Sequence, residues 1–206
     1  MTLDDLIAEG RALERRCWFL SAKDQGTAVA VWHSASPGRS RRWLTVDATF
    51  YPNIGSRYVS IISNSAGSGV VECLDQLPEA SAGDVSLFAS EASVLPPIDA
   101  VFAFGSERVG SWLAENKWER SWGYNSNFSG SALAEAYERA YQADHPMYGS
   151  SDVFAMVGGW HFSFPDGDWN ELVADDLMLM TFRDAEPWVE AWHRQDGRFD
   201  VIERIT

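Results

Sequence analysis

The 206-residue chain has little cysteine and no long apolar run, and each shortage excludes a class of protein. Only Cys17 and Cys73 are present, without a CxxC pair, so neither a disulfide framework nor a zinc site is expected. We predict that both thiols are reduced and buried. No apolar stretch approaches the ~20 residues of a membrane span. The first ten residues, MTLDDLIAEG, lack the basic and apolar regions of a secretory signal, so we expect a cytoplasmic protein.

The chain also lacks the short motifs that mark common catalytic and ligand sites. It has no GxGxxG after a strand, no P-loop, no HExxH and no EF-hand spacing. The segment SAGSG at residues 65–69 departs from the GxSxG spacing of a nucleophile elbow and is predicted to be a turn. The sequence therefore predicts no catalytic residue, no cofactor and no metal site.

Basic residues are few as well, because 16 Lys and Arg stand against 30 Asp and Glu, for a net charge of −14. A field of this sign repels phosphate backbones and anionic lipids, so neither nucleic acid nor a membrane is expected as a partner. The stretch 144–206 holds thirteen acidic residues, four Arg and four of the ten tryptophans. A general role of the acids in solubility is the alternative explanation of this charge.

The hydrophobic periodicity predicts an α+β fold in a single domain over residues 1–206, with two subregions, 1–105 and 130–206, that share one core. Thr2 and Asp5 resemble a capping box that begins a helix over about residues 3–16. Between residues 27 and 104, period-two alternation predicts strands around residues 29–31, 44–50, 59–61, 70–71 and 98–104. Within these strands Asp47 and Asp99 lie opposite their apolar neighbours, so both are expected to be exposed.

The second half of the chain predicts further helices, strands and a closing hairpin. Ser106 is expected to cap a helix over 107–117, and Leu133–Tyr141 shows a helical apolar stripe. The Asp196-Gly197 pair lies between alternating runs and predicts a β-hairpin of 188–194 with 199–205. Two more strands are predicted at 153–164, with a bulge at Gly158-Gly159, and at 177–182. The expected architecture is a mainly antiparallel sheet with about three helices packed on one face and a C-terminal β-hairpin.

The tryptophans of the acidic final third alternate with carboxylates, and this combination predicts a recognition surface. Aromatic rings supply desolvated area and cation–π contacts, while carboxylates steer the encounter with a Lys/Arg-rich surface. The candidate binding residues are Trp160, Asp166, Asp168, Trp169, Asp175, Asp176, Trp188, Glu190 and Trp192. For each ring the alternative is that it packs a helix against the sheet.

We therefore expect a non-enzymatic cytoplasmic binding protein with an acidic, Trp-rich recognition surface and a basic protein partner. A small acidic α+β protein without a catalytic motif is similar in general character to the immunity proteins with which bacteria neutralise basic toxins. That resemblance implies an inhibitor whose acidic surface occludes the cleft of a basic effector. The sequence does not indicate an oligomeric state.

Two alternatives remain open. The first is a small hydrolase that uses converging carboxylates or a histidine–carboxylate pair around His161 and His193. The second is a small-molecule or glycan-binding module whose aromatic loop carries Trp118, Trp122, Tyr124 and Phe128. For this loop the plainer interpretation is that its rings anchor it to the core.

Overall fold

The computed structural model describes residues 1–23, 26–34, 40–50, 56–64, 69–118, 128, 130–145, 152–160, 177–181, 188–193 and 199–204. Four α-helices and ten strands lie within these residues, and the strands form one sheet. The predicted α+β fold with a mainly antiparallel sheet is thereby confirmed. The chain divides into a helical unit (1–17, 93–149 and 159–173) and a sheet unit (18–92, 150–158 and 174–206). None of the helices in the described ranges is long and apolar enough to cross a membrane.

Three of the four described helices begin at a side-chain cap, and the fourth, α2, begins after Pro97 without one. Their bounds are α1 Leu3–Ala12, α2 Ile98–Phe104, α3 Glu107–Glu115 and α4 Ala132–Asp144. The predicted capping box is confirmed, because Thr2 Oγ1 accepts from the Asp5 amide at 3.2 Å and Asp5 Oδ2 accepts from the Thr2 amide at 2.8 Å. Ser106 Oγ likewise accepts from the Arg108 amide at 3.2 Å and confirms the predicted start of α3.

The core of the helical unit forms where all four helices contribute apolar side chains. Leu6, Phe102, Leu113 and Tyr137 are each at most 1% exposed and belong to one cluster. Gly10 on α1 lets α4 come close, because a Cβ at this position would lie 2.6 Å from the Tyr137 hydroxyl oxygen. That hydroxyl donates to the Pro96 carbonyl at 3.0 Å, so the close approach also satisfies a buried polar group.

The sheet runs in the order β10-β9-β8-β7-β1-β6-β2-β3-β4-β5. Its strands are β1 Arg15–Ser21, β2 Ala30–Trp32, β3 Ser40–Asp47, β4 Tyr58–Asn64, β5 Gly69–Leu74, β6 Val85–Val94, β7 Val153–Gly158, β8 Leu177–Thr181, β9 Trp188–His193 and β10 Phe199–Arg204. A short 3₁₀ helix, Ala48–Phe50, follows β3. Although β5 and β10 end this order, a Cβ at Gly69 would overlap the Val201 side chain, so the twisted sheet curls until its outer strands meet.

The predicted C-terminal hairpin is confirmed. Strands β9 and β10 pair antiparallel, with His193 opposite Phe199 and Trp188 opposite Arg204. The Asp-Gly turn that joins them lies outside the described residues. Ala191 and Val201 face each other across the pair and are buried in the sheet-unit core, which fixes the face that this hairpin turns inward.

Several local predictions were wrong because the periodicity of short apolar runs is ambiguous. Residues 98–104 form helix α2 rather than a strand, and the consecutive Ala100, Val101 and Phe102 are all buried. Asp99 lies in the first helical turn and is 6% exposed, so its predicted exposure was wrong. The first helix ends at Ala12 instead of continuing to residue 16.

Other differences concern the strands and the cysteines. Strands β1 and β6 were not predicted, although β1 lies between β7 and β6 in the sheet. Cys17 is buried as expected, but Cys73 is exposed on β5, and both are free thiols. The two glycines at the predicted bulge, Gly158 and Gly159, have φ of 80° and 75°, a conformation that favours glycine.

Candidate functional site

The predicted binding residues are described to different extents. Trp160 is described in full and lies in the helical unit, where it is 7% exposed. Trp188, Glu190 and Trp192 occupy alternate positions on β9, and Ala191 between them is buried. The remaining predicted binding residues, Asp166, Asp168, Trp169, Asp175 and Asp176, lie outside the described residues. The described geometry of the candidate site therefore centres on Trp160.

Trp160 is the centre of an aromatic–cation stack. The Arg15 guanidinium carbon lies 3.6 Å from the Trp160 ring centroid. Phe104 stacks on the same indole with its centroid 5.5 Å away and an angle of 28° between the ring planes. The indole Nε1 donates to the Leu13 carbonyl at 2.7 Å. The ring of Trp160 is therefore covered by Phe104 and Arg15, and its N–H group has a hydrogen-bond acceptor.

Three distant segments bring this stack together. Arg15 opens β1, Phe104 ends α2, and Trp160 follows the paired glycines after β7. The Gly159 amide donates to the Arg16 carbonyl at 3.2 Å, which holds the Trp160 backbone against the start of β1. Sequence reasoning missed Arg15 and Phe104 because it placed both in the wrong secondary structure.

The stack has a partly open side. Phe104 is 41% exposed and is one of two large apolar residues that are exposed within the described ranges, the other being Val70 at 60%. Two residues beyond Phe104, the amide and hydroxyl of Ser106 donate to the Glu9 carboxylate at 3.0 and 2.6 Å. Glu107 follows and is exposed. We call Phe104, Trp160, Glu9 and Glu107 the Phe104 patch.

A second polar cluster is buried in the sheet unit. His33 Nδ1 lies 3.3 Å from Asp84 Oδ2, and His33 Nε2 lies 2.9 Å from Thr45 Oγ1. Thr45 Oγ1 is in turn 2.9 Å from Ser60 Oγ. Because the Asp84 carboxylate accepts, Nδ1 carries the hydrogen and the chain of donors runs from Ser60 through Thr45 and His33 to Asp84. We call these four residues the His33 chain.

The electrostatics of the His33 chain favour a neutral imidazole beside an ionised carboxylate. Burial lowers the pKa of His33, and this outweighs the opposite effect of Asp84. Burial raises the pKa of Asp84, but the amides of Ser34 and Ser81 donate to its carboxylate and hold that pKa below its ordinary value. Asp84 thereby joins the end of β2 to the turn at residues 81–84.

The His33 chain has the donor order of an acid–base–hydroxyl relay but not the exposure that such chemistry needs. Thr45 and Ser60 are both 0% exposed, so a substrate cannot reach either hydroxyl in this conformation. The His33 chain links Ser60 on β4 and Thr45 on β3 to His33, which follows β2, so these buried polar side chains satisfy one another. Its arrangement supports a structural role.

The two alternative sites are only partly described. For the hydrolase alternative, His193 lies on β9 and His161 falls outside the described residues. In the aromatic loop, Phe128 is 2% exposed, and its ring centroid lies 5.5 Å from that of Trp118 and 4.9 Å from that of Phe102. These two rings pack in the helical-unit core, while the other two loop aromatics lie outside the described residues. No group of three or more His, Cys, Asp or Glu in the described ranges is arranged to hold a metal ion.

Most described arginines contact a carboxylate or an aromatic ring of the chain itself. The pairs are Arg11–Asp144, Arg42–Glu72, Arg108–Asp5, Arg139–Glu135, Arg15–Trp160, Arg41–Trp43 and Arg57–Tyr58. By contrast, Asp4, Asp75, Glu79 and Glu115 are exposed and form no ion pair with any described residue. The internal pairing leaves a surplus of carboxylates toward solvent.

Comparisons of this chain with known protein families, with curated proteins and with solved structures find no match.

Proposed function

We propose that this protein is a non-enzymatic, cytoplasmic binding protein that presents an acidic, Trp-rich surface to a basic protein partner. The proposed mode is that of an immunity-type inhibitor, in which the acidic surface covers the cationic cleft of a basic effector. Complementary charge accelerates such an encounter and suppresses wrong partners.

One observation carries the proposal. The net charge is −14, and most described arginines are engaged by carboxylates and rings of the same chain. Internal pairing therefore does not remove the excess of negative charge, which remains available to a cationic surface. The aromatic content of the acidic third supplies the apolar contact area that a purely electrostatic interaction lacks.

The burial of the His33 chain argues against an enzymatic role for its hydroxyl groups. A hydroxyl nucleophile must reach the reacting atom of a substrate, and both hydroxyls of this chain are fully buried. The binding proposal requires no such access.

The test compares two variants with equal charge changes. One replaces Asp166, Asp168, Asp175 and Asp176 by Asn, and the matched control carries Asp4→Asn, Asp75→Asn, Glu79→Gln and Glu115→Gln. Binding of small basic and acidic proteins is measured at low and high salt. We expect the basic proteins alone to bind, more weakly at high salt, with a larger loss in the first variant than in the control.

Each other outcome has a definite meaning. Equal losses in the two variants would show that net charge attracts basic proteins without a localised surface. The absence of salt-sensitive binding in the wild-type protein would contradict the proposed function itself.

A further inference from the structure

We infer that the Phe104 patch is the anchor for an arginine side chain of the basic partner. This inference rests on the proposed function and names the contact site. It is carried by an exposed aromatic ring that stacks on an indole already holding one guanidinium, together with the Glu9 carboxylate that Ser106 holds two residues further along the chain.

The stack shows the geometry that a second arginine would adopt. Arg15 places its guanidinium 3.6 Å from the Trp160 centroid, within the range of a favourable cation–π contact. Phe104 is part of the same stack and leaves 41% of its surface to solvent. A guanidinium from another protein can lie against this exposed surface as Arg15 lies against Trp160. Arginine suits this position better than lysine, because its planar, weakly hydrated cation stacks on rings.

The rings of the patch are held in place before any partner arrives. The indole of Trp160 donates to the Leu13 carbonyl at 2.7 Å, and the neighbouring Gly159 amide donates to the Arg16 carbonyl. Stacking against this fixed ring restricts Phe104. A rigid aromatic anchor loses little side-chain entropy on binding, which is the property of aromatic residues that dominate protein interfaces.

The charge around the patch fits a cation. Glu9 is held by Ser106 only two residues from Phe104, and Glu107 is exposed in the first turn of α3. Carboxylates at the rim of an apolar contact attract an incoming cation and increase its rate of association. Val70 on β5 is the other large exposed apolar residue in the described ranges, but it has no aromatic ring. The nearby Glu72 carboxylate already pairs with Arg42, so Val70 serves as the control for Phe104.

The experiment titrates the protein with oligo-arginine and oligo-lysine peptides of equal length at low salt. Phe104→Leu keeps an apolar side chain but removes the ring, and Val70→Ala is the matched control. We expect Phe104→Leu to weaken oligo-arginine binding about two- to fivefold, the effect of one exposed cation–π contact, with a smaller loss for oligo-lysine. Val70→Ala is expected to leave both affinities unchanged.

Two further measurements locate the contact. The indole N–H resonance of Trp160, assigned with Trp160→Phe, should shift when oligo-arginine binds to the wild-type protein. Glu107→Gln should reduce the salt dependence of binding and leave the preference for arginine over lysine intact. Thermal unfolding of each variant checks that it is folded, and the exposure of Phe104 makes the Leu variant a mild change.

The outcomes separate this inference from the proposed function. If Phe104→Leu binds oligo-arginine as tightly as the wild type, or if the Trp160 resonance does not move, the Phe104 patch is not the anchor. Salt-sensitive binding of basic proteins would still support the proposed function in that case. If oligo-arginine does not bind the wild-type protein at low salt, the inference is overturned. The Asp→Asn and Glu→Gln variants described above then decide separately whether basic proteins bind at another surface.

Discussion

The helical unit and the sheet unit place their polar groups in different environments. In the helical unit, Arg11 is 43% exposed at its side chain and donates to both carboxylate oxygens of Asp144, at 3.0 and 2.7 Å. In the sheet unit, Thr45 and Ser60 are fully buried members of the His33 chain. Water and salt screen an exposed ion pair, whereas a buried group without a partner keeps its full desolvation cost. Polar substitutions should therefore cost more in the sheet unit, and apolar core substitutions should be costly in either.

The largest expected effect is the loss of a core ring from the helical unit. Phe102 is 1% exposed and packs edge-on against Phe128, so Phe102→Ala should lower the free energy of unfolding by about 3–5 kcal/mol. The matched control, Phe104→Ala, removes an exposed ring and should cost under about 1 kcal/mol. Denaturant unfolding measures both.

Hydrogen exchange of the Phe102→Ala variant would also test whether the two units unfold separately. We expect amides of α1 to α4 to lose protection while those of β3 and β4 retain it. Equal loss across all of these elements would show that the two units unfold cooperatively, and the comparison between them would then not apply to stability.

Next in size is the removal of one hydroxyl from the His33 chain. Thr45→Val keeps the shape of the side chain but leaves His33 Nε2 and Ser60 Oγ without this partner. We expect a loss of about 2–3 kcal/mol in the free energy of unfolding. Thr49→Val, at an exposed position of the 3₁₀ helix, is the control and should change stability by under about 0.5 kcal/mol. Similar values for the two would mean that the His33 chain does not contribute to stability.

The pH dependence of stability should come mainly from the two buried histidines. Burial lowers the pKa of His145 to about 3, despite the opposite effect of Asp144, and burial also lowers that of His33. In both, the folded pKa lies below the unfolded value, so the stabilisation is present above about pH 6.5 and is lost as the pH falls. For His145 the loss between pH 7 and pH 5 is about 2 kcal/mol, given its folded pKa of about 3.

The control for this prediction replaces the titrating ring. His145→Gln should flatten the decline in the free energy of unfolding between pH 7 and pH 5, whatever its effect on absolute stability. His33→Gln should flatten it less, because Asp84 partly offsets the burial of His33. An unchanged slope in His145→Gln would show that the pKa of this histidine is the same in the folded and unfolded protein.

The smallest expected effect is that of a surface ion pair. Arg11→Gln removes the bidentate contact with Asp144 and should cost about 0.5–1 kcal/mol at low salt, with a smaller loss at high salt. Arg139→Gln breaks a longer contact of 3.8 Å to Glu135 on the same helix and should cost about 0.3 kcal/mol. A larger loss of stability in Arg11→Gln than in Thr45→Val would contradict the expectation that polar substitutions cost more in the sheet unit than in the helical unit.

Predictions from local sequence were correct where a few neighbouring residues decide the structure. The Thr2–Asp5 capping box, the Ser106 cap and the C-terminal hairpin all depend on contacts within a short stretch or on a turn between adjacent strands. The prediction of a strand over residues 98–104 was wrong because a run of seven residues fits both the two-residue period of a strand and the 3.6-residue period of a helix. Two features of the sequence do indicate a helix here. Pro97 directly precedes the helix, and Asp99 lies in its first turn, where a negative charge is favourable.

The candidate site was less predictable than the fold. The acidic residues around Trp160 in the sequence predict a role in binding for this ring, but the groups that contact it, Arg15 and Phe104, are far away in the chain. The predicted carboxylates between residues 166 and 176 lie outside the described ranges, so their part in a recognition surface stays a prediction. Similarly, no local pattern indicates that Asp84, 51 residues after His33, accepts a hydrogen bond from that ring.

The net charge, the Thr2 and Ser106 caps, the hairpin and the α+β class could all be read from the sequence, because composition is additive and these elements depend on near neighbours. The folded protein was needed to show that Asp99 and His33 are buried, that Thr45 joins His33 to Ser60, and that Phe104 and Arg15 meet at Trp160. Burial and pairing arise from contacts between distant segments, and those contacts depend on strand order and helix packing, which periodicity does not record.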